Sequence, residues 1–139
     1  MIHLNSVTSE EVNLALKSKD WAVVDTRDSN SFLGWCMDGE SVRGHITGAT
    51  DFSAEWIRFP FISAWSNEEE RKENIHNKLI ERRWNQSTNI ILYDTTGQDA
   101  PVVAKYLIDN GYENLHYYNF LNWNGSTTYP PNFHLSVPV

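Results

Sequence analysis

The chain has 139 residues, 40% of them hydrophobic, and carries no low-complexity tract, a composition that fits one ordered domain and excludes a disordered chain. A formal net charge of −7, with adjacent basic residues only at Arg71-Lys72 and Arg82-Arg83, argues against binding to nucleic acid. The lone cysteine, Cys36, excludes an internal disulfide and a cysteine-built zinc site, and no apolar stretch is long enough to span a bilayer.

In chain order, Thr8-Ser9-Glu10-Glu11 has the spacing of a capping box, flanked by Val7 and Val12 as a hydrophobic staple. It predicts a helix running through about Lys17, with Val12, Ala15 and Leu16 on the apolar face. Trp21-Ala22-Val23-Val24 is a continuous apolar run, as expected of a strand buried on both faces, and it ends at Asp25. A brief helical turn is expected over residues 29–35, a glycine-bearing loop over 36–48 and a short strand over 49–53. Ser66-Asn67-Glu68-Glu69 repeats the capping-box spacing and opens a helix expected to reach about Trp84, with Ile75, Leu79 and Ile80 facing inward. Acidic residues in its first turn and basic ones in its last suit the helix dipole.

Asn89-Ile90-Ile91-Leu92-Tyr93 is the clearest strand. A polar loop, Asp94 to Asp99, follows it, and Pro101 opens a helix lined by Val102, Val103, Tyr106 and Leu107. Gly111 suits a left-handed helix end, and a last strand fits residues 115–118. This alternation of strands and helices implies an α/β fold: a mostly parallel central sheet with helices on both faces and right-handed crossovers. Past Gly125 periodicity is lost and Pro130, Pro131 and Pro138 appear, so a domain over residues 1–125 and an extended tail or interdomain linker over 126–139 are expected, with the natural chain continuing beyond Val139.

Ligands of an open α/β sheet bind at the carboxyl ends of the strands, where a helix N-terminus offers unpaired N–H groups to an anion. The loop Asp94-Thr95-Thr96-Gly97-Gln98-Asp99 has that position, between an apolar strand and a proline-opened helix. The remaining candidates are weaker. No basic residue adjoins Cys36 in sequence to activate its thiol, which reads as an ordinary one, and His3, His76, His116 and His134 show no metal-ligand spacing. The six tryptophans are most simply core and interface residues.

Several runs together resemble a rhodanese domain over roughly residues 7–125: Val23-Val24-Asp25-Thr26-Arg27, Phe32-Leu33-Gly34-Trp35, Arg43-Gly44-His45-Ile46-Thr47-Gly48-Ala49, Phe52-Ser53-Ala54-Glu55-Trp56, Leu92-Tyr93, Gly111-Tyr112-Glu113-Asn114-Leu115 and Asn122-Trp123. The resemblance implies the rhodanese-like fold. In active members a cysteine stands at the place of Asp94 and carries sulfur as a persulfide held by the loop amides. A carboxylate has no sulfur with which to do this. Arginine or lysine usually supports the same loop, whereas this chain has Gln98, Asp99 and Ala100, and two carboxylates there are expected to repel an anionic sulfur donor. The resemblance therefore implies no catalytic residue, a vestigial loop at Asp94, Thr95, Thr96, Gly97, Gln98 and Asp99, and a structural motif of Asp25, Arg27, Arg43 and His45. No metal and no cofactor are expected.

The expected function is that of a non-catalytic domain in a larger thiosulfate or 3-mercaptopyruvate sulfurtransferase, similar to the N-terminal domain of tandem-domain bacterial enzymes of that type. Its partner would be an adjacent rhodanese domain of the same chain, reached through a linker such as Tyr129-Pro130-Pro131-Asn132-Phe133-His134-Leu135. Neither nucleic acid nor membrane is an expected partner. A cytoplasmic location is expected, or a periplasmic one if a leader has been removed. Two alternatives stand beside this: a free-standing binding or regulatory module, and a phosphatase-like enzyme with Asp94 as nucleophile, although Thr96 stands where such enzymes place a second aspartate.

Overall fold

A computed structural model describes residues 4–35, 42–59 and 66–129. Cys36, His3, His134 and the segment 130–139 lie outside the described residues. The chain runs β1 (Asn5–Ser6), α1 (Ser9–Ala15), β2 (Trp21–Asp25), α2 (Ser29–Phe32), β3 (His45–Ile46), β4 (Thr50–Asp51), α3 (Ala54–Arg58), α4 (Glu68–Arg82), β5 (Asn89–Asp94), α5 (Asp99–Asp109), β6 (Leu115–Asn119), a 3-10 turn (Phe120–Asn122) and β7 (Thr127–Thr128). Five strands form a parallel sheet in the order β1-β6-β5-β2-β4. This is the expected α/β architecture. Among the described residues no helix is long and apolar enough to cross a membrane.

Strand β5 sits at the centre, and Ile90, Ile91, Leu92 and Tyr93 are all fully buried. Because successive side chains of a strand point to opposite faces, a continuous apolar run serves two cores at once. On one face Ile90 and Leu92 join Val24, Phe52, Ile75, Leu79, Val103 and Leu107, which come largely from β2, α4 and α5. On the other, Ile91 and Tyr93 join Val12, Val23, Ile46, Tyr118, Phe120 and Trp123. Burying each large aliphatic chain contributes about 1.5–3 kcal/mol before conformational entropy is charged against it.

Helix ends follow local chemistry. The Thr8 capping box is present, with its hydroxyl accepting from the Glu11 N–H at 3.1 Å and the Glu11 carboxylate accepting from the Thr8 N–H at 3.0 Å. At α4 the box is shifted by one residue from the expectation. Asn67 rather than Ser66 is the cap, accepting from the Glu70 N–H at 2.8 Å, while the Ser66 hydroxyl accepts from Arg71 Nε at 3.2 Å. Ile80, expected on the inner face of α4, is 59% exposed. Helix α5 closes as expected: Gly111 has φ +93°, its N–H reaches the Ile108 carbonyl, and the Tyr112 N–H reaches the Leu107 carbonyl, a Schellman ending.

Beyond the expected boundary at residue 125, residues 126–129 make further contacts with the chain. Strand β7 pairs antiparallel with β3, His45 opposite Thr128 and Ile46 opposite Thr127. Trp123 Nε1 donates to the Ser126 carbonyl at 3.1 Å, and the Arg43 guanidinium lies 4.7 Å from the centre of the Tyr129 ring. Residues 126–129 are therefore packed against the domain, a pairing that a two-residue strand with no hydrophobic period does not signal in sequence.

Candidate functional site

The parallel register aligns the strand ends. Asp25 lies beside Tyr93, and Asp94 beside Asn119, so the loops after β2, β5 and β6 open on one edge of the sheet. The loop after β5 turns through Gly97, whose φ of +79° is a conformation glycine adopts without strain. Its geometry is organised around Asp94, which is fully buried. One carboxylate oxygen accepts from the Gly97 N–H at 2.9 Å and from the Tyr117 hydroxyl at 2.6 Å; the other accepts from the N–H groups of Asp99 at 3.1 Å and Ala100 at 2.9 Å.

The last two donors belong to the first turn of α5. Its formal cap, Gln98, supplies no side-chain hydrogen bond, so Asp94 takes over that task from five and six residues upstream. Burial and the neighbouring Asp94 carboxylate push the Tyr117 phenol well above its ordinary pKa, which keeps it protonated and donating. Thr96 completes the turn by accepting from the Gln98 N–H at 3.3 Å.

Of Asp25, Arg27, Arg43 and His45, the structure joins the first two to each other and gives the other two separate partners. Asp25 and Arg27 form a buried ion pair at 2.7 Å, and the same Arg27 nitrogen donates to the Gly44 carbonyl at 2.7 Å. Its guanidinium carbon stands 4.2 Å from the centre of the Phe120 ring. Burial raises the Asp25 pKa above the ordinary carboxylate value, and the Arg27 hydrogen bonds and charge work against that rise. Arg43 Nε donates to the Gly34 carbonyl at 2.9 Å. His45 stacks on Phe32 with ring centres 3.7 Å apart, and its Nδ1 lies 3.0 Å from the Phe32 carbonyl oxygen. These contacts tie the segment after β2 to β3 and to the chain after β6. None of them presents a proton-transfer pair to a substrate.

Beside the loop is a cavity of about 300 Å³ whose walls include Arg27, Ser31, Glu55, Arg58, Thr96 and Asp99. Arg58 was not among the sequence candidates. It donates to the Asp99 carboxylate at 2.7 Å and to the Gln98 carbonyl at 2.9 Å, from the end of the short helix α3 that Ser53 caps. Of the two carboxylates expected to repel an anionic donor, Asp94 is held by the loop amides and Asp99 is paired with Arg58. A pairing across 41 residues leaves no mark in sequence. Burial, Asp28 and Asp99 together raise the Glu55 pKa.

Among the described residues no three His, Cys, Asp or Glu side chains gather to hold a metal ion, and His45, His76 and His116 serve separate parts of the fold. Asp94 is also poorly set up as a phosphoryl acceptor, since both oxygens are buried and already held by N–H and O–H donors.

Comparison with curated proteins found no match. Among solved structures, the anaerobic ergothioneine biosynthesis enzyme from Chlorobium limicola, in complex with its natural substrate trimethyl histidine, is 25% identical with a TM-score of 0.72, over 92% of this chain and 28% of that one. EanB with ergothioneine covalently linked to a persulfide cysteine is likewise 25% identical, with a TM-score of 0.71 over 92% of this chain and 28% of its own. This chain thus spans little more than a quarter of the length of those structures. The Rhodanese-like domain family model matches residues 8–123, from the α1 cap to the buried Trp123, and with the parallel sheet and strand-end loop described above it shows that the chain belongs to the rhodanese-like domain family.

Proposed function

We propose that this chain is a non-catalytic rhodanese-like domain of a larger sulfurtransferase of the thiosulfate or 3-mercaptopyruvate type, packing on a separate catalytic rhodanese domain of the same chain and shaping its entrance. The observation that carries the reading is the Asp94 carboxylate, which fills the cradle of loop amides with a group that has no sulfur to transfer. One of the similar structures holds a persulfide on a cysteine, whereas in this chain the residue that ends β5 is Asp94. A cytoplasmic setting, or a periplasmic one after removal of a leader, belongs to the same proposal.

The test is thiocyanate formation from thiosulfate and cyanide, and pyruvate formation from 3-mercaptopyruvate. The chain is expected to match an Asp94→Ala variant in both. Cyanide-dependent product above that variant would defeat the proposal. For the packing role, removing residues 1–129 from the longer natural chain should impair the kcat/KM of the cysteine-bearing repeat.

A free-standing binding module is the second reading, favoured by the 300 Å³ cavity that adjoins the filled loop. Calorimetric titration of candidate partners into the isolated chain separates the two, since heat on binding any of them would favour a module acting alone.

A further inference from the structure

We infer that Asn124-Gly125 is a site of spontaneous covalent modification, in which the asparagine becomes aspartate or isoaspartate through a succinimide, and that the fold protects the same dipeptide at Asn110-Gly111. The reaction needs two free groups: a side-chain amide able to swing over the next peptide unit, and a glycine nitrogen able to lose its proton and bond to it. Glycine in the second place removes the side chain that would obstruct the ring. By sequence the two dipeptides are equals, and only their surroundings separate them.

Asn110 stands at the end of α5, half-buried, and its Nδ2 donates to the Tyr106 carbonyl at 2.8 Å, which draws the amide back along the helix. The Gly111 N–H donates to the Ile108 carbonyl at 3.0 Å, so its proton is held. Both hydrogen bonds must open before a ring can close there. Asn124 and Gly125 lie between the 3-10 turn and β7, and both are exposed. Among the described residues, neither the Asn124 side chain nor the Gly125 N–H has a hydrogen-bond partner.

The steps balance with water as the sole co-reactant. The Gly125 nitrogen gives its proton to hydroxide and bonds to Asn124 Cγ; the Cγ–Nδ2 bond breaks and ammonia leaves. Water then opens the ring. Cleavage of the new bond to Cγ gives aspartate, while cleavage of the bond to the main-chain carbonyl carbon gives isoaspartate, whose main chain runs through Cβ and Cγ. Isoaspartate thus adds a methylene to a closely fitted span. Trp123 Nε1 donates across it to the Ser126 carbonyl at 3.1 Å, and a Cβ on Gly125 would stand 2.5 Å from Trp123 Cζ2. The same Ser126 carbonyl receives the Thr47 N–H at 3.2 Å beside the β3–β7 ladder, so lengthening the span loosens residues 126–129 from β3.

The experiment incubates the folded chain at mildly alkaline pH below its unfolding temperature, then maps its peptides for a mass gain of about 1 Da at each asparagine. An isoaspartate-specific methyltransferase labels the isoaspartate fraction. Conversion at Asn124 is expected to outpace that at Asn110 by roughly tenfold or more, because the latter requires the helix end to open. In urea the two rates should converge. Equal rates in the folded chain, or the same excess at Asn124 in urea, would overturn the inference, as would a methyltransferase label that persists undiminished in N124Q. The isoaspartate fraction should exchange the Thr47 amide faster than fresh chain does. N124D, which carries the charge without the added methylene, should exchange it at the native rate. Native exchange in the isoaspartate fraction, or exchange in N124D as fast as in that fraction, would overturn the loosening of residues 126–129.

Discussion

Asp94 performs two tasks with one carboxylate: it caps α5 from a distance and it satisfies the loop amides that its own burial would otherwise leave unpaired. Charge-assisted hydrogen bonds from three N–H groups and one hydroxyl offset the cost of taking that charge out of water. Asp94→Ala abandons all four donors at once and is expected to lower stability by about 3–5 kcal/mol, read from urea unfolding midpoints. A loss below about 1 kcal/mol would mean that the carboxylate is not what holds the loop. Asp94→Cys restores a nucleophile, yet the nearby cation stays bound to Asp99, so only slight thiocyanate formation is expected. Adding Asp99→Ala frees Arg58 for the donor, and D94C/D99A should exceed D94C by about tenfold, equivalent to ~1.4 kcal/mol. Full activity from D94C alone would refute the need for that cation.

At the scale of elements, the shifted cap of α4 shows how local spacing can be right and its register wrong. Ser66 and Asn67 both carry an acceptor, and Glu69 and Glu70 both stand three residues after one of them. The choice is made by Arg71, which draws the Ser66 hydroxyl to itself and leaves the helix N-terminus to Asn67. Asn67→Ala should cost about 1 kcal/mol in denaturant unfolding, the usual worth of a cap. The β3–β7 ladder makes a sharper test because Gly44 enters it with φ +79° and no room for a side chain. A Cβ there would lie 2.3 Å from the Thr128 carbonyl oxygen. Gly44→Ala is expected to cost more than about 2 kcal/mol and to speed amide hydrogen exchange at Thr47, whose N–H reaches the Ser126 carbonyl across this pairing. Unchanged exchange at Thr47 would mean that the ladder does not depend on that close approach.

Over the whole molecule, pH couples to folding at the end of the sheet opposite the mouth, where His116 stacks on Trp21 with ring centres 5.0 Å apart and reaches toward Asn89 at 3.4 Å. Partial burial lowers the His116 pKa below its ordinary 6.5, and the charge of Glu11 only partly opposes this. The unfolded chain therefore binds the proton more readily than the folded one. The stability contributed by the neutral ring is present above pH 6.5 and is lost as the pH falls through the lower folded value. His116→Gln should narrow the difference in urea midpoint between pH 7.5 and pH 5; an unchanged difference would assign that pH dependence to other groups. The central strand was legible in the chain alone, because Ile90 to Tyr93 is apolar without interruption and only a strand covered on both faces uses such a run. So were the α1 cap, the end of α5 and the position of the loop at Asp94, each carried by residues close together in sequence, and the rhodanese-like fold, carried by short runs spread in order along the chain. The linear order of residues thus determined the central strands, the longer helices and the presence of Asp94 rather than a cysteine at the end of β5, but gave no sign of β1, β3, α3 or β7. Only the tertiary structure decided what occupies the mouth, that Arg58 answers Asp99 and that residues 126–129 close on β3, because hydrogen bonds and ion pairs between distant segments depend on distances that exist only once the sheet has brought its strand ends together.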